Sequence, residues 1–367
     1  MVAIFSSEQF DEPIETVTAE SFREVTYVLE FAEAKALAGK YVIVMLSYEA
    51  APAFDSALIV HESNGFPLAW AAVFSEPAKH TAMDVSMSSD SWLPAVTEHE
   101  YKESITRIKN LIGAGDTYQV NYSFPLNSSF TGDPLEWYHQ LRAAQTANYS
   151  AYLDLGRYKI LSLSPELFFE RRGDHVVTRP MKGTVQRGRT PDEDEELAQW
   201  LRNSIKNRAE NVMIVDLLRN DLGKVAVAGG VRVSSLFDLE QFETVWQMTS
   251  TVEATLREGT SLAQLMGALF PCGSVTGAPK IRTMQIIREL ERFPRRAYTG
   301  TIGLLRPGGD CTFNVAIRTV VLDTETNVAT CSVGGGITID STAAEEYEEC
   351  LVKSRFLYAG HDLTQRR

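Results

Sequence analysis

The sequence predicts an α+β fold. Runs of strand-like alternation are followed by runs of helical periodicity, without the regular strand and helix alternation of a doubly wound sheet. With 367 residues, 44% hydrophobic and 23% charged, the chain is long enough to bury a sizeable core as one large or two interlocked domains. No short-period repeat or low-complexity tract interrupts it.

Residues 1 to about 92 read as short strands and one helix, Glu20 to Leu37. They close in the polar stretch Ser86 to Ser91, a surface link. The division is an N-terminal subdomain, 1–92, with no residue pattern tied to a chemistry, and a second domain, 93–367. From Glu98 to Ile112, Tyr101, Ile105, Ile108 and Ile112 recur at helical spacing and meet Gly113 and Gly115, a helix stop. In the strand that follows, Tyr118, Val120 and Tyr122 alternate with Gln119, Asn121 and Ser123, so the polar set must face a cavity or water. Further strands read at 151–155, 159–163, 166–171 and 176–179. Helices read at about 195–218, 261–269, 279–291 and 343–358, and a long strand at 312–322.

The net charge of -13 argues against a nucleic-acid binder, because phosphate contacts need stripes of Lys and Arg and none is present. No leader-like start and no run of about 18 apolar residues is found, so the expectation is a cytoplasmic protein with no membrane span. Four scattered cysteines lack metal spacing and read as reduced packing residues, and the six histidines give no local support for a Ser-His-Asp centre. Acid–base work therefore falls to carboxylates.

Several segments break the pattern of an ordinary core. Glu210 shares a helix face with Met213, Ile214 and Leu217, and a carboxylate placed there needs a cation. On the last helix Glu346, Glu349 and Lys353 project from one face. Two such helices could hold one magnesium ion between Glu210 and Glu349, whereas Glu345 and Glu348 read as solvated charges. The stretch Gly273 to Lys280 places Pro279 in the first turn of a helix, with free N–H groups for an anion or simply as an ordinary cap and turn. Arg318, expected on one strand face with Asn314 and Ala316, suits either bidentate carboxylate capture or an internal salt bridge. Gly334, Gly335 and Gly336 read as a link between strands that lets backbone approach a ligand or forms only a bulge. Lys182, between Met181 and Gly183, reads locally as a surface lysine.

Taken together, seven ordered motifs resemble the chorismate-binding enzymes, the large subunits of anthranilate, aminodeoxychorismate, isochorismate and salicylate synthases. They are Ser164-Pro165-Glu166, Pro180 to Thr184, Glu210 to Leu222, Gly273 to Lys280, Tyr298 to Gly303, Asn314 to Thr319 and Glu346 to Lys353. The resemblance implies two large, orthogonally packed antiparallel sheets flanked by helices, with strands added by residues 1–92 and a cleft between the sheets. It implies Mg2+ on Glu210 and Glu349, with Glu346 acting through water. It also implies Tyr298 and Arg318 on a substrate carboxylate, and Gly183, Thr184, Thr276, Gly277, the three glycines, Lys353, Gln119 and Gln247 around the substrate.

Within that family the branches that form anthranilate, isochorismate and salicylate carry Ala where Lys182 stands, and water-adding members carry a Lys base where Gln119 stands. The resemblance therefore implies amination of chorismate at C4, for 4-aminobenzoate and folate formation. Lys182 would be the nucleophile, Glu166 the general acid, and a separate glutamine amidotransferase subunit the source of ammonia, with no fused lyase expected after Arg367. Anthranilate formation is the second expectation, and a non-catalytic chorismate-binding regulator the third. Gln247 replaces a His common in related enzymes, Thr342-Ala343 a usual Asp-Pro, and Cys272 a frequent Gly.

Overall fold

The computed structural model describes residues 1–78, 88–89, 91–145, 147–242 and 245–358. Two ten-stranded antiparallel sheets form its centre. The first runs β16 (Gly277–Ala278), β8 (Gln119–Thr131), β20 (Val328–Ile337), β19 (Thr319–Asp323), β10 (Tyr158–Ser162), β9 (Ala151–Asp154), β1 (Val2–Phe5) and β2 (Glu8–Asp11). On β8 it also carries β6 (Ser88–Ser89) and β7 (Leu93–Pro94). The second runs β13 (Met181–Gln186), β15 (Val245–Leu256), β12 (His175–Arg179), β11 (Leu167–Arg172), β18 (Cys311–Asn314), β17 (Thr301–Leu305), β4 (Tyr41–Leu46), β5 (Ala69–Phe74) and β3 (Glu15–Ala19). A long strand β14 (Ala226–Gln241) pairs with β15. Residues before position 92 thus supply strands to both sheets. Of the expected link at Ser86 to Ser91, positions 86, 87 and 90 lie outside the described residues, and Ser88–Ser89 form β6 on β8.

β4 shows how one sequence serves two cores. Successive side chains of a strand point to opposite faces. Val42, Val44 and Leu46 share a cluster with Val25, Val28, Leu29, Ala32 and Ala36 of α1 (Phe22–Leu37). Ile43 and Met45 share another with Ala3, Phe5, Leu153 and Ile160 of the first sheet. A strand buried on both faces has no polar alternation to display, which is why β4 reads as a plain apolar run.

The helices are α1, α2 (Glu98–Gly113), α3 (Pro134–Ala143), α4 (Pro191–Asn203), α5 (Ile205–Gly223), α6 (Leu262–Leu269), α7 (Lys280–Leu290) and α8 (Ala343–Lys353). The single helix expected over 195–218 is two. Ser204 is extended at φ -62° and ψ 111°, closing α4 while its hydroxyl accepts from Asn207 N–H at the start of α5. At the last helix, α8 stops at Lys353 and the chain continues as a 3-10 turn, Arg355–Tyr358.

Two further expectations are corrected. The strand expected over 312–322 is β18 in one sheet and β19 in the other. Between them Val315 N–H bonds the Glu166 carbonyl, the Ala316 carbonyl accepts from Thr299 N–H, and Arg318 takes φ 48°. Arg318 therefore does not share a strand face with Asn314 and Ala316, because a chain changing sheets must break its alternation. Gly334, Gly335 and Gly336 lie inside β20, opposite Ser123, Tyr122 and Asn121 of β8, and do not link two strands. Side chains are excluded there: a Cβ on Gly334 would lie 2.5 Å from the Tyr122 carbonyl oxygen, and one on Gly336 2.4 Å from Gln119 Nε2.

Candidate active site

Lys182 sits on β13 ahead of Gly183, whose φ of 88° turns the strand where it approaches Asn207 of α5. Its Nζ donates to the Ser274 carbonyl at 2.9 Å. The Ser274 hydroxyl donates to Glu166 Oε1 at 2.8 Å, so one residue touches both proposed reacting groups. Glu166 is 4% exposed, and its backbone N–H is held by Ser164 Oγ. Burial lifts the Glu166 carboxyl above its ordinary range against the pull of Lys182, Ser274 and the Met181 N–H. It also lowers Lys182 against the pull of Glu166 and Glu210. Desolvation penalises both charges, so each group is moved toward its neutral form.

Glu210 on α5 and Glu346 on α8 are raised, first by burial and then by repulsion that includes Glu349. Glu346 is nearly buried and takes a hydrogen bond from Ser341 Oγ at 2.7 Å. A Cβ on Gly335 would stand 3.0 Å from its Oε2, so the glycine makes room for this carboxylate. Lys353 pairs with Glu349 at 2.8 Å and donates to the Gly334 carbonyl at 3.0 Å. That pairing holds Glu349 below the usual carboxylate range. Glu345 and Glu348 are exposed, as expected.

Among the described residues no three His, Cys, Asp or Glu side chains converge into a closed metal cage. Hard carboxylate oxygens that repel one another across two helices fit an ion that keeps water and an anionic ligand in its shell.

Arg318 is buried. Its Nη1 donates to Gln145 Oε1 at 3.1 Å, and among the described residues no carboxylate pairs with it, so burial lowers its pKa unopposed. Among the described residues the internal salt bridge is not formed, and the guanidinium keeps donors for an external anion. Tyr298 is buried, with its hydroxyl pKa raised by desolvation. Gln119 is fully buried, with neither amide atom partnered among the described residues, and wedged against Gly336. A buried orphan amide signals a missing partner.

Gln247 holds its strand neighbour: its Oε1 accepts from Thr184 Oγ1 at 2.7 Å and its Nε2 donates to the Gly183 carbonyl at 2.8 Å. The amide is committed to fixing the Lys182 strand. The 273–280 stretch differs from expectation. Gly273–Val275 is a 3-10 turn, Gly277–Ala278 is β16, and Pro279 is the N-cap of α7 instead of a residue of its first turn. The Val275 and Thr276 N–H groups bond the Cys272 and Gly273 carbonyls, and Lys280 is paired with Asp221. Thr276 is buried with its hydroxyl on the Cys272 carbonyl, while Gly277 at φ 139° lets β16 meet the Gln119 backbone. Ser274 is the candidate site residue that sequence reasoning missed. A serine in a turn carries no local sign that its carbonyl and hydroxyl meet two distant side chains.

The profile of the chorismate binding enzyme family matches residues 77–359. The chain belongs to this family. Among curated family relatives, aminodeoxychorismate synthase component 1 of Salmonella typhimurium is 44% identical over 265 residues, 72% of this chain and 58% of the relative. An anthranilate synthase component 1 of Haloarcula marismortui is 42% identical over 261 residues, 71% of this chain and 53% of the relative. The chain thus spans just over half the length of these relatives. Its fold is that of anthranilate synthase component I from Streptococcus pneumoniae, at a TM-score of 0.84 and 25% identity, covering 97% of this chain and 92% of that one.

Proposed function

We propose that this chain converts chorismate and ammonia to 4-amino-4-deoxychorismate, the precursor of 4-aminobenzoate and folate. Relatives of both the aminodeoxychorismate and anthranilate branches are similar to it, so the reading rests on one observation: Lys182, with burial favouring its neutral form, linked through Ser274 to a Glu166 whose protonated form burial favours. Neutral Lys182 attacks C2 of the ring. The two ring double bonds shift, C1=C2 to C1=C6 and C5=C6 to C4=C5, the C4–O bond breaks, and Glu166 gives its proton to the departing hydroxyl, which leaves as water. Ammonia then forms the C4–N bond and returns its surplus proton to Glu166, both double bonds move back, and the C2–N bond breaks to release neutral Lys182. The net change is chorismate plus ammonia to aminodeoxychorismate plus water.

Arg318 and Tyr298 would hold the enolpyruvyl carboxylate, and Gln119 offers an amide where a water-activating base would otherwise stand. Glu210 and Glu349, with Glu346 through water, would hold a magnesium ion whose charge offsets the substrate's ring carboxylate. Gly183, Thr184, Thr276, Gly277, Gly334 to Gly336 and Lys353 line the space. We take the ammonia to come from glutamine through a separate amidotransferase subunit, in the cytoplasm. No helix among the described residues is long and apolar enough to cross a membrane.

The test is incubation of the purified chain with chorismate, ammonium and magnesium. Aminodeoxychorismate without pyruvate is expected. Anthranilate fluorescence with pyruvate release would assign the chain to the other branch, and magnesium-dependent binding without turnover would make it a binding protein.

A further inference from the structure

Outside the segment matched by the family profile, Glu49 is 1% exposed, and both its oxygens are used on the backbone of a distant turn. Oε1 accepts from Arg295 N–H and Oε2 from Arg296 N–H, each at 2.8 Å. Tyr48 reinforces the grip: its N–H donates to the Arg296 carbonyl at 2.9 Å, and its ring lies 4.6 Å from the Arg295 guanidinium.

Arg295 is itself 4% exposed and spends its guanidinium on three other segments. It donates to the Val275 carbonyl at 2.9 Å, the Asn121 carbonyl at 2.7 Å and Thr299 Oγ1 at 3.2 Å, and is neutralised by Glu291 at 2.6 Å. Val275 follows Ser274, Asn121 lies two residues beyond Gln119, and Thr299 follows Tyr298. One planar fork thus ties together the turn that touches Lys182 and Glu166, the strand that presents Gln119, and the backbone beside Tyr298.

Relying on the cleft as proposed above, we infer that Glu49 is a positioning residue for it, acting through Arg295 on Ser274 and Tyr298. The N-terminal region then does more than complete the sheets: the 3-10 turn after β4, Tyr48–Ala53, supplies the anchor that sets the reacting groups. Glutamine at position 49 keeps the shape but turns an N–H2 toward one of the two backbone donors, so that donor loses its acceptor while buried.

The test compares wild type with Glu49→Gln and Glu49→Asp, each checked for folding by circular dichroism. The pH dependence of Lys182 modification by acetic anhydride is followed by mass spectrometry of its peptide, a readout that needs no substrate. In Glu49→Gln the midpoint is expected to rise toward that of an ordinary lysine. Turnover per folded molecule should fall about tenfold or more, as expected for a displaced reacting group. Glu49→Asp, with both oxygens retained, should recover part of each.

A folded Glu49→Gln with an unchanged midpoint overturns the inference. If Glu49→Gln does not fold, Arg295→Lys and Glu49→Asp decide it by the same labelling, and unchanged midpoints in both refute it. If wild type does not aminate chorismate yet the midpoint moves in Glu49→Gln, the proposed reaction fails while the positioning role stands.

Discussion

Lys182 and Glu166 are useful together only if the first is neutral while the second is protonated, a combination that free side chains scarcely populate at any pH. Burial moves both toward that state from opposite sides. The rate should therefore rise with pH as Lys182 loses its proton and fall as Glu166 loses its own. A kcat/KM profile against pH should show the rising limb below the usual lysine range and the falling limb above the usual carboxylate range. Lys182→Ala should abolish amination while leaving chorismate binding, measured by calorimetry, largely intact. Glu166→Gln should lower kcat by roughly 10²- to 10⁴-fold. A third residue-scale expectation concerns Gly336: in Gly336→Ala the new methyl meets Gln119 Nε2, costing about 1–3 kcal/mol of stability by denaturant unfolding and raising the KM for chorismate. Lys182 and the glutamates stood out in the sequence because they break apolar faces or stand in motifs. Ser274, Arg295 and Glu49 did not: Ser274 and Glu49 act through partners 92 and 247 positions away, and Arg295 spans from Val275, 20 positions away, to Asn121, 174 away.

Where an element begins and ends depended on caps that reading by periodicity overlooks. The α4–α5 region keeps a helical rhythm across Ser204, so the break shows only in the backbone. Ser204→Ala should remove the cap of α5 and cost about 1 kcal/mol, read from urea unfolding. Glu100 closes the capping box of α2, and hydrogen bonds from the Thr97 N–H and hydroxyl, with Arg292, hold its carboxyl at about 2. Since the folded value is depressed, its contribution is present above the unfolded pKa of a glutamate and is lost as pH falls through about 2. Glu100→Gln should remove that part of the acid dependence of the melting temperature between about pH 4.3 and 2. Strand identity was readable for β9 to β12, where alternation and turns agree. It was not for the Arg318 segment, whose alternating residues continue while the chain passes from one sheet to the other.

At the scale of the molecule, α+β architecture and antiparallel sheets follow from strand alternation and the absence of a regular strand–helix repeat, but which strand lies beside which does not. β4 makes this concrete: removing one side chain weakens one of two cores, and Leu46→Ala should cost about 2–5 kcal/mol through the cluster shared with α1. The pairing order also bears on how the chain is made. β1 pairs with β9, more than 140 residues later, and β4 pairs with β17, which ends at Leu305. A ribosome reading from the first codon therefore releases β4 and β5 long before their outer partner exists. The early hairpin must wait with an open edge until the last third of the polypeptide emerges, a period in which sheet edges are most prone to mispairing.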